Sequence, residues 1–198
     1  MQSGNEHPRQ GDALLIIDMQ RDFMPGGALP VPGADTLIQT INRWAAFFAS
    51  HHWPVIATRD WHPCDHGSFA VNGGDWPVHC VQHSDGADFV YGLALPEDVV
   101  VIDKGVNPDS NGYSAFEHTG LEVRLKELGI RRLWVCGVAT DYCVQASVLD
   151  ALKQGLEVVL LSKAVKGVDV HEGDVDRALN RMKEAGACIV DDEVPDAQ

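Results

Sequence analysis

A chain of 198 residues, 45% apolar and 22% charged, is long enough for one domain with a substantial core and has the make-up of an ordinary globular protein. Its formal net charge of −14 is unsuited to nucleic acid, whose phosphates require a basic surface. No apolar run is long enough to span a bilayer, and residues 1–11 are polar, without the apolar core of a signal peptide. A cytoplasmic protein with no membrane attachment is expected. The five cysteines (Cys64, Cys80, Cys136, Cys143 and Cys188) are odd in number, irregularly spaced and form no CxxC pair. That pattern argues against a disulfide framework and against cysteine-rich structural zinc.

In chain order, six short runs rich in branched aliphatic residues stand at 13–17, 55–58, 99–102, 133–136, 158–161 and 187–190. Helical patterns at 34–50, 121–128, 141–153 and 173–185 separate most of them. Gly129, Gly155 and Gly186 follow three of those helices, where a left-handed C-terminal cap is expected. Near-continuous apolar strands alternating with helices predict a parallel sheet covered on both faces. The expected fold is a single doubly wound α/β domain with a six-stranded parallel sheet flanked by helices, and polar tails at 1–11 and 192–198. Residues 61–96 break the alternation. They are rich in Gly, Pro, His, Asp and Trp, and a connection that long without periodicity is usually functional or disordered; an ordered functional loop is expected.

Ligands in such folds collect outside the carboxyl ends of the strands. Reading those ends in order gives Asp18, Asp60, Lys104 and, after the fourth strand, Cys143. Taken singly, each has a plain structural explanation: a turn residue, a loop anchor, a solvated lysine, a small buried thiol. Four chemically able groups at equivalent strand ends point instead to a site. Thr140 is a candidate N-cap, which would put Cys143 in the first turn of a helix. The helix dipole there would favour the nucleophilic thiolate. Asp60-Trp61-His62 has the spacing that puts carboxylate and imidazole on one side of an extended segment, a pairing suited to zinc, iron or manganese. His66, His79 and His83 are the candidates for a third ligand.

The segments ALLIIDMQRDF at 13–23, TRDWHP at 58–63, WPVHC at 76–80, DKG at 103–105 and GVATDYC at 137–143 together resemble the nicotinamidase/pyrazinamidase branch of the isochorismatase-like cysteine hydrolases. The likeness runs from about residue 12 to 190. It implies a catalytic triad of Asp18, Lys104 and Cys143, and metal ligands Asp60, His62 and His79 for one divalent ion, zinc first with iron or manganese as alternatives. His66 falls where some members supply a further ligand and others do not, and the role of His83 is open. The resemblance also implies a cis peptide at Val138–Ala139, with the N–H groups of Ala139 and Cys143 forming an oxyanion hole. Phe23 and Trp76 would hold the substrate ring, beside Val138 and Ala139. The implied reaction is hydrolysis of nicotinamide, and of pyrazinamide, to the acid and ammonia. The alternatives are a related amidohydrolase for carbamoyl or ureido compounds, or a non-catalytic nicotinamide- or metal-binding protein. The partner expected is this small amide, with a homo-oligomer possible.

Overall fold

The computed structural model describes residues 6–191 and 194. Six strands form one sheet: β1 (Asp12–Ile17), β2 (Val55–Asp60), β3 (Val100–Lys104), β4 (Arg132–Val138), β5 (Glu157–Lys166) and β6 (Cys188–Val190). Their order is β3-β2-β1-β4-β5-β6 and every pairing is parallel. The chain winds outward from β1 to β3, then returns to place β4 on the other side of β1. That reversal opens a crevice at the carboxyl ends of β1 and β4, where α/β sheets bind ligands.

The pleat divides the core. Leu14 and Ile16 of β1, with Trp134 and Cys136 of β4, face α1 (Ile38–Ser50), whose Ile41, Trp44, Ala45 and Phe48 lie at helical spacing and are buried. Trp44 and Trp134 stack at 5.3 Å. On the other face Ala13, Leu15, Ile17, Leu133 and Val135 pack under α2 (Leu121–Glu127), α3 (Gln145–Lys153) and α4 (Asp174–Glu184). Gly129, Gly155 and Gly186 all have positive φ just beyond their helices, as the capping argument requires. The helix expected from 34 begins instead as a tight turn, Ala34–Leu37, and becomes α-helical at Ile38. No helix among the described residues is long and apolar enough to cross a membrane.

The connection between β2 and β3 carries no α-helix, yet it is ordered. His62 pairs with Val81, Phe69 with Trp76, and Phe89 with Gln20. Gly74 lies so close to the Ser68 carbonyl that a Cβ there would sit 2.2 Å from it, so only glycine lets the loop fold back on itself.

At the amino ends of the central strands β1 and β4, Asp12 accepts from Arg132 Nη2 at 2.7 Å and from Trp134 Nε1 at 2.8 Å. Arg132 also reaches Glu6 at 2.6 Å. Residues 6–11, expected to be part of a polar tail, are therefore tied to the sheet; the remainder of the expected tails lies outside the described residues, except Asp191 and Val194. Removing one member of a buried ion pair leaves the other uncompensated, at a cost of about 3–5 kcal/mol. Because Glu6 keeps a share of the guanidinium, Asp12→Ala should lower unfolding free energy by about 3 kcal/mol, read from urea denaturation. A loss under about 1 kcal/mol would mean that Glu6 alone satisfies Arg132.

Candidate active site

Each chemical group stands where a strand ends. Asp18 follows β1 directly with φ of +49°, Asp60 is the last residue of β2, and Lys104 the last of β3. After β4 the chain passes through a cis peptide at Val138–Ala139. It then makes a wide π-helical turn, Thr140–Val144, and α3 starts only at Gln145. This differs from the expected helix beginning at a Thr140 cap. Thr140 makes no capping hydrogen bond; its buried hydroxyl has no partner. π-Helical turns recur at functional sites because they re-aim side chains that a regular helix would place elsewhere.

Lys104 joins these ends. Its ammonium, fully buried, lies 2.8 Å from Asp18 Oδ2 and 2.6 Å from Asp60 Oδ1. It also donates to the Gly112 carbonyl at 3.0 Å and stands 3.3 Å from Cys143 Sγ. Burial by itself would discharge the lysine, but Asp18 and Asp60 outweigh it and hold its pKa well above the ordinary value. At Asp60 burial is likewise overcome, chiefly by Lys104, and the carboxyl is held well below its usual range. Asp18 goes the other way: burial outweighs the attraction of Lys104 and raises it. Burial also pushes the Cys143 thiol well up, against Lys104. The pull toward thiolate expected of the helix start is therefore opposed here by burial, to which Asp18 and Asp60 add, with Lys104 acting against them.

Asp60, His62 and His79 bring one ligand atom each within 4.8 Å of one another, all buried. His62 Nδ1 lies 2.9 Å from the Gly105 carbonyl and His79 Nδ1 2.7 Å from the Pro77 carbonyl. A carbonyl can only accept, so both imidazoles carry their proton on Nδ1 and offer Nε2, the arrangement that orients metal-ligating histidines. Gly105 packs against His62 so closely that a Cβ would lie 2.4 Å from the ring. The donor set therefore fits a divalent cation. His66 lies tilted against His62 with ring centroids 4.0 Å apart and bonds Ser68 through Nδ1. Burial, then His62, pushes its pKa down to about 4. It stands outside the set of three. His83 packs on Trp61, also apart from them.

A cleft opens over both clusters, lined by Phe23, Trp76, His79, Ala139, Tyr142 and Cys143 among others. Val138, expected beside the ring, is buried with Phe23 and Ala139 in the core cluster on the α1 face and, unlike those two, is not among the residues lining the cleft. Sequence reasoning did not single out Tyr113, Tyr142 or Val168. Trp76 Nε1 donates to Tyr113 Oη at 2.9 Å, and its ring meets Tyr142 edge-on at 5.0 Å. Nor did it single out buried Gln20, which grips both sides of the Asp60 peptide: its Oε1 accepts the Asp60 N–H at 2.7 Å and its Nε2 donates to the Asp60 carbonyl at 2.7 Å. An uncharged polar residue two positions after a strand-end aspartate was the signal available in the sequence.

The fold and site together define a doubly wound α/β protein whose switch-point crevice holds a buried thiol, an ammonium and two carboxylates. The family model described as Isochorismatase domain matches residues 12–194, and the chain belongs to that family. It is 39% identical to the nicotinamidase of Escherichia coli over 198 aligned residues, covering 89% of this chain and 93% of that one. The pyrazinamidase of Pyrococcus horikoshii, solved in complex with zinc, superposes with a TM-score of 0.87 at 52% identity, over 91% of this chain and 98% of the other. A protein from L. infantum solved with nicotinate gives a TM-score of 0.83 at 39% identity, over 90% and 91%.

Cys136 and Cys143 are both buried and both raised by burial, but only Cys143 opens on the cleft beside a cation. In a Cys64→Ser, Cys188→Ser background, which removes the two exposed thiols, iodoacetamide should modify Cys143 at least about tenfold faster than Cys136. Peptide mapping of the alkylated chain reads the ratio; equal rates would mean that the cleft does not admit a small electrophile to Cys143.

Proposed function

We propose that this chain is a nicotinamidase, hydrolysing nicotinamide to nicotinate and ammonia through a thioester on Cys143. The observation that carries the reading is the buried Lys104 ammonium in contact with Asp18, Asp60 and Cys143, of which Asp60 and Cys143 line the cleft. Its likeness to nicotinamidases over nearly the whole chain, at 39% identity in the Escherichia coli case, supports the substrate.

Asp18 takes the thiol proton as Sγ attacks the amide carbon, and returns it to the departing nitrogen, which leaves as ammonia. Its raised pKa makes it a stronger base than an ordinary carboxylate, and transfer within the attack step removes the need for a standing thiolate. Water then attacks the thioester carbonyl, again giving its proton to Asp18, which passes it to the released sulfur. Lys104 stays charged throughout and stabilises the negative charge shared by Asp18 and Sγ. The N–H groups of Ala139 and Cys143, at the cis peptide and in the π-helical turn, would receive the carbonyl oxygen as it becomes an oxyanion. Phe23 and Trp76 would hold the ring.

Asp60, His62 and His79 would hold one divalent ion, zinc first with iron or manganese as alternatives. When bound, that ion supplies a Lewis-acid contact for the pyridine nitrogen. A thiol nucleophile needs no metal-bound hydroxide to acylate, so these three residues serve binding of the ring.

Cys143→Ala should abolish ammonia release from nicotinamide, and Asp18→Asn should reduce it by about 10²–10⁴-fold, because an amide cannot accept the proton. Circular dichroism and metal content should match the parent protein; a fully active Cys143→Ala variant would end the thioester reading.

Benzamide has the same scissile amide without the ring nitrogen. His79→Ala, or treatment with a chelator, should lower kcat/KM for nicotinamide by about tenfold or more beyond its effect on benzamide, since about 1.4 kcal/mol of lost contact is tenfold. Equal losses for the two amides would assign His79 a structural role instead.

A further inference from the structure

Asp18 is held in a backbone conformation that side chains rarely adopt, with φ of +49°. One residue from the neighbouring strand holds it there. β1 and β2 stay in register through Ile16 and Ala57, and the ladder then gives way to a side chain. The Asp18 N–H donates to Thr58 Oγ1 at 3.2 Å, and the same hydroxyl donates to Asp18 Oδ1 at 2.6 Å. Thr58 is fully buried. A hydroxyl has one proton, and this one is spent on Oδ1 while a lone pair holds the Asp18 amide.

We infer that Thr58 is a positioning residue for the Asp18 base: by clamping the Asp18 amide and Oδ1 together, its hydroxyl leaves Oδ2 as the oxygen that exchanges a proton with Cys143. Oδ2 is the oxygen facing Lys104 at 2.8 Å, and Lys104 in turn meets Cys143 Sγ at 3.3 Å. The carboxylate plane is thereby fixed by two partners on opposite sides, Thr58 on one oxygen and Lys104 on the other. Without the hydroxyl, the carboxylate would be free to turn both oxygens toward the ammonium, and its amide would lose its partner while buried. A general base works only when its accepting atom lies within hydrogen-bond reach of the proton, so this rotation costs turnover rather than binding. The hydroxyl bond also draws the Asp18 pKa down, opposing the effect of burial. The hydrogen bonds of the Thr58 hydroxyl run to Asp18 and not to Asp60, His62 or His79, so ring binding should not change. The inference rests on the Asp18–Lys104–Cys143 reading given above.

The test compares Thr58→Val, which keeps the shape but can neither donate nor accept, with Thr58→Ser, which keeps the hydroxyl. Metal-loaded protein is assayed for ammonia release from nicotinamide, with Cys143→Ala as reference. Thr58→Val should lower kcat by about 10²-fold, the low end for a general base, with KM within about threefold of the parent. Thr58→Ser should recover kcat to within about threefold of the parent. Should the valine variant not fold, Thr58→Ala replaces it. Alanine and serine both lack the methyl and differ only in the hydroxyl, so a higher kcat for serine by about tenfold is then expected. Parental kcat in Thr58→Val, or equal kcat in the pair differing only by the hydroxyl, overturns the positioning role. An inactive Cys143→Ala beside an active Thr58→Val sinks that role alone, whereas an active Cys143→Ala sinks the triad reading and the positioning role with it.

Discussion

A lysine ammonium with no exposure to solvent is the constraint on which this structure turns. An isolated charge in the interior costs several kcal/mol after relaxation, and only close opposite charges and good acceptors offset that. Lys104 has Asp18 and Asp60 at 2.8 and 2.6 Å and the Gly112 carbonyl at 3.0 Å. The three strands β1, β2 and β3 must therefore end at matching depth, or the ammonium would be stranded. The register that aligns Asp60 with Lys104 across β2 and β3 meets this requirement. The 105–112 segment meets it too, by folding back so tightly that a Cβ on Gly112 would lie 2.4 Å from Gly105 Cα. What looks like local chemistry is a demand on the whole half-sheet.

The charge pattern that results is uneven, and the unevenness is useful. Two carboxylates share one cation, so they cannot be equally satisfied. Asp60, helped by His62 and Lys104, is held ionised, while Asp18 is pushed toward the proton-binding range. Environment thus splits a pair of identical groups into a fixed anion and a proton carrier, the separation that acid–base work requires. The thiol is raised by the same burial, with Lys104 alone drawing it down.

Much of this was legible in the sequence because parallel strands covered on both faces read as unbroken apolar runs, and their ends announce themselves by the first polar residue. Asp18 is such a residue, Asp60 and Lys104 close the short polar endings Thr58-Arg59-Asp60 and Asp103-Lys104, and Cys143 follows a strand through glycine. Thr58 was hidden by the same logic: a β-branched residue inside a strand looks like a strand former, and its hydroxyl goes unnoticed. Tyr113 and Val168 come from connections far along the chain, so no periodicity links them to the cleft. Thr140 misled because its residue type suits an N-cap, while the π-helical turn takes the first turn away from the geometry a cap serves. The thiolate expectation weighed a dipole and omitted desolvation, which only burial reveals.

Asp60 lends one oxygen to Lys104 at 2.6 Å and faces His62 with the other at 3.7 Å. The cation-binding set and the nucleophile's neighbourhood are consequently not separate modules that evolution or an engineer could exchange. Replacing Asp60 by a third histidine to suit a softer ion would remove one of the two negative charges that keep Lys104 an ammonium. A change of metal preference at this position would therefore be inherited together with a change in reactivity at the thiol, and the two traits would have to be selected as one.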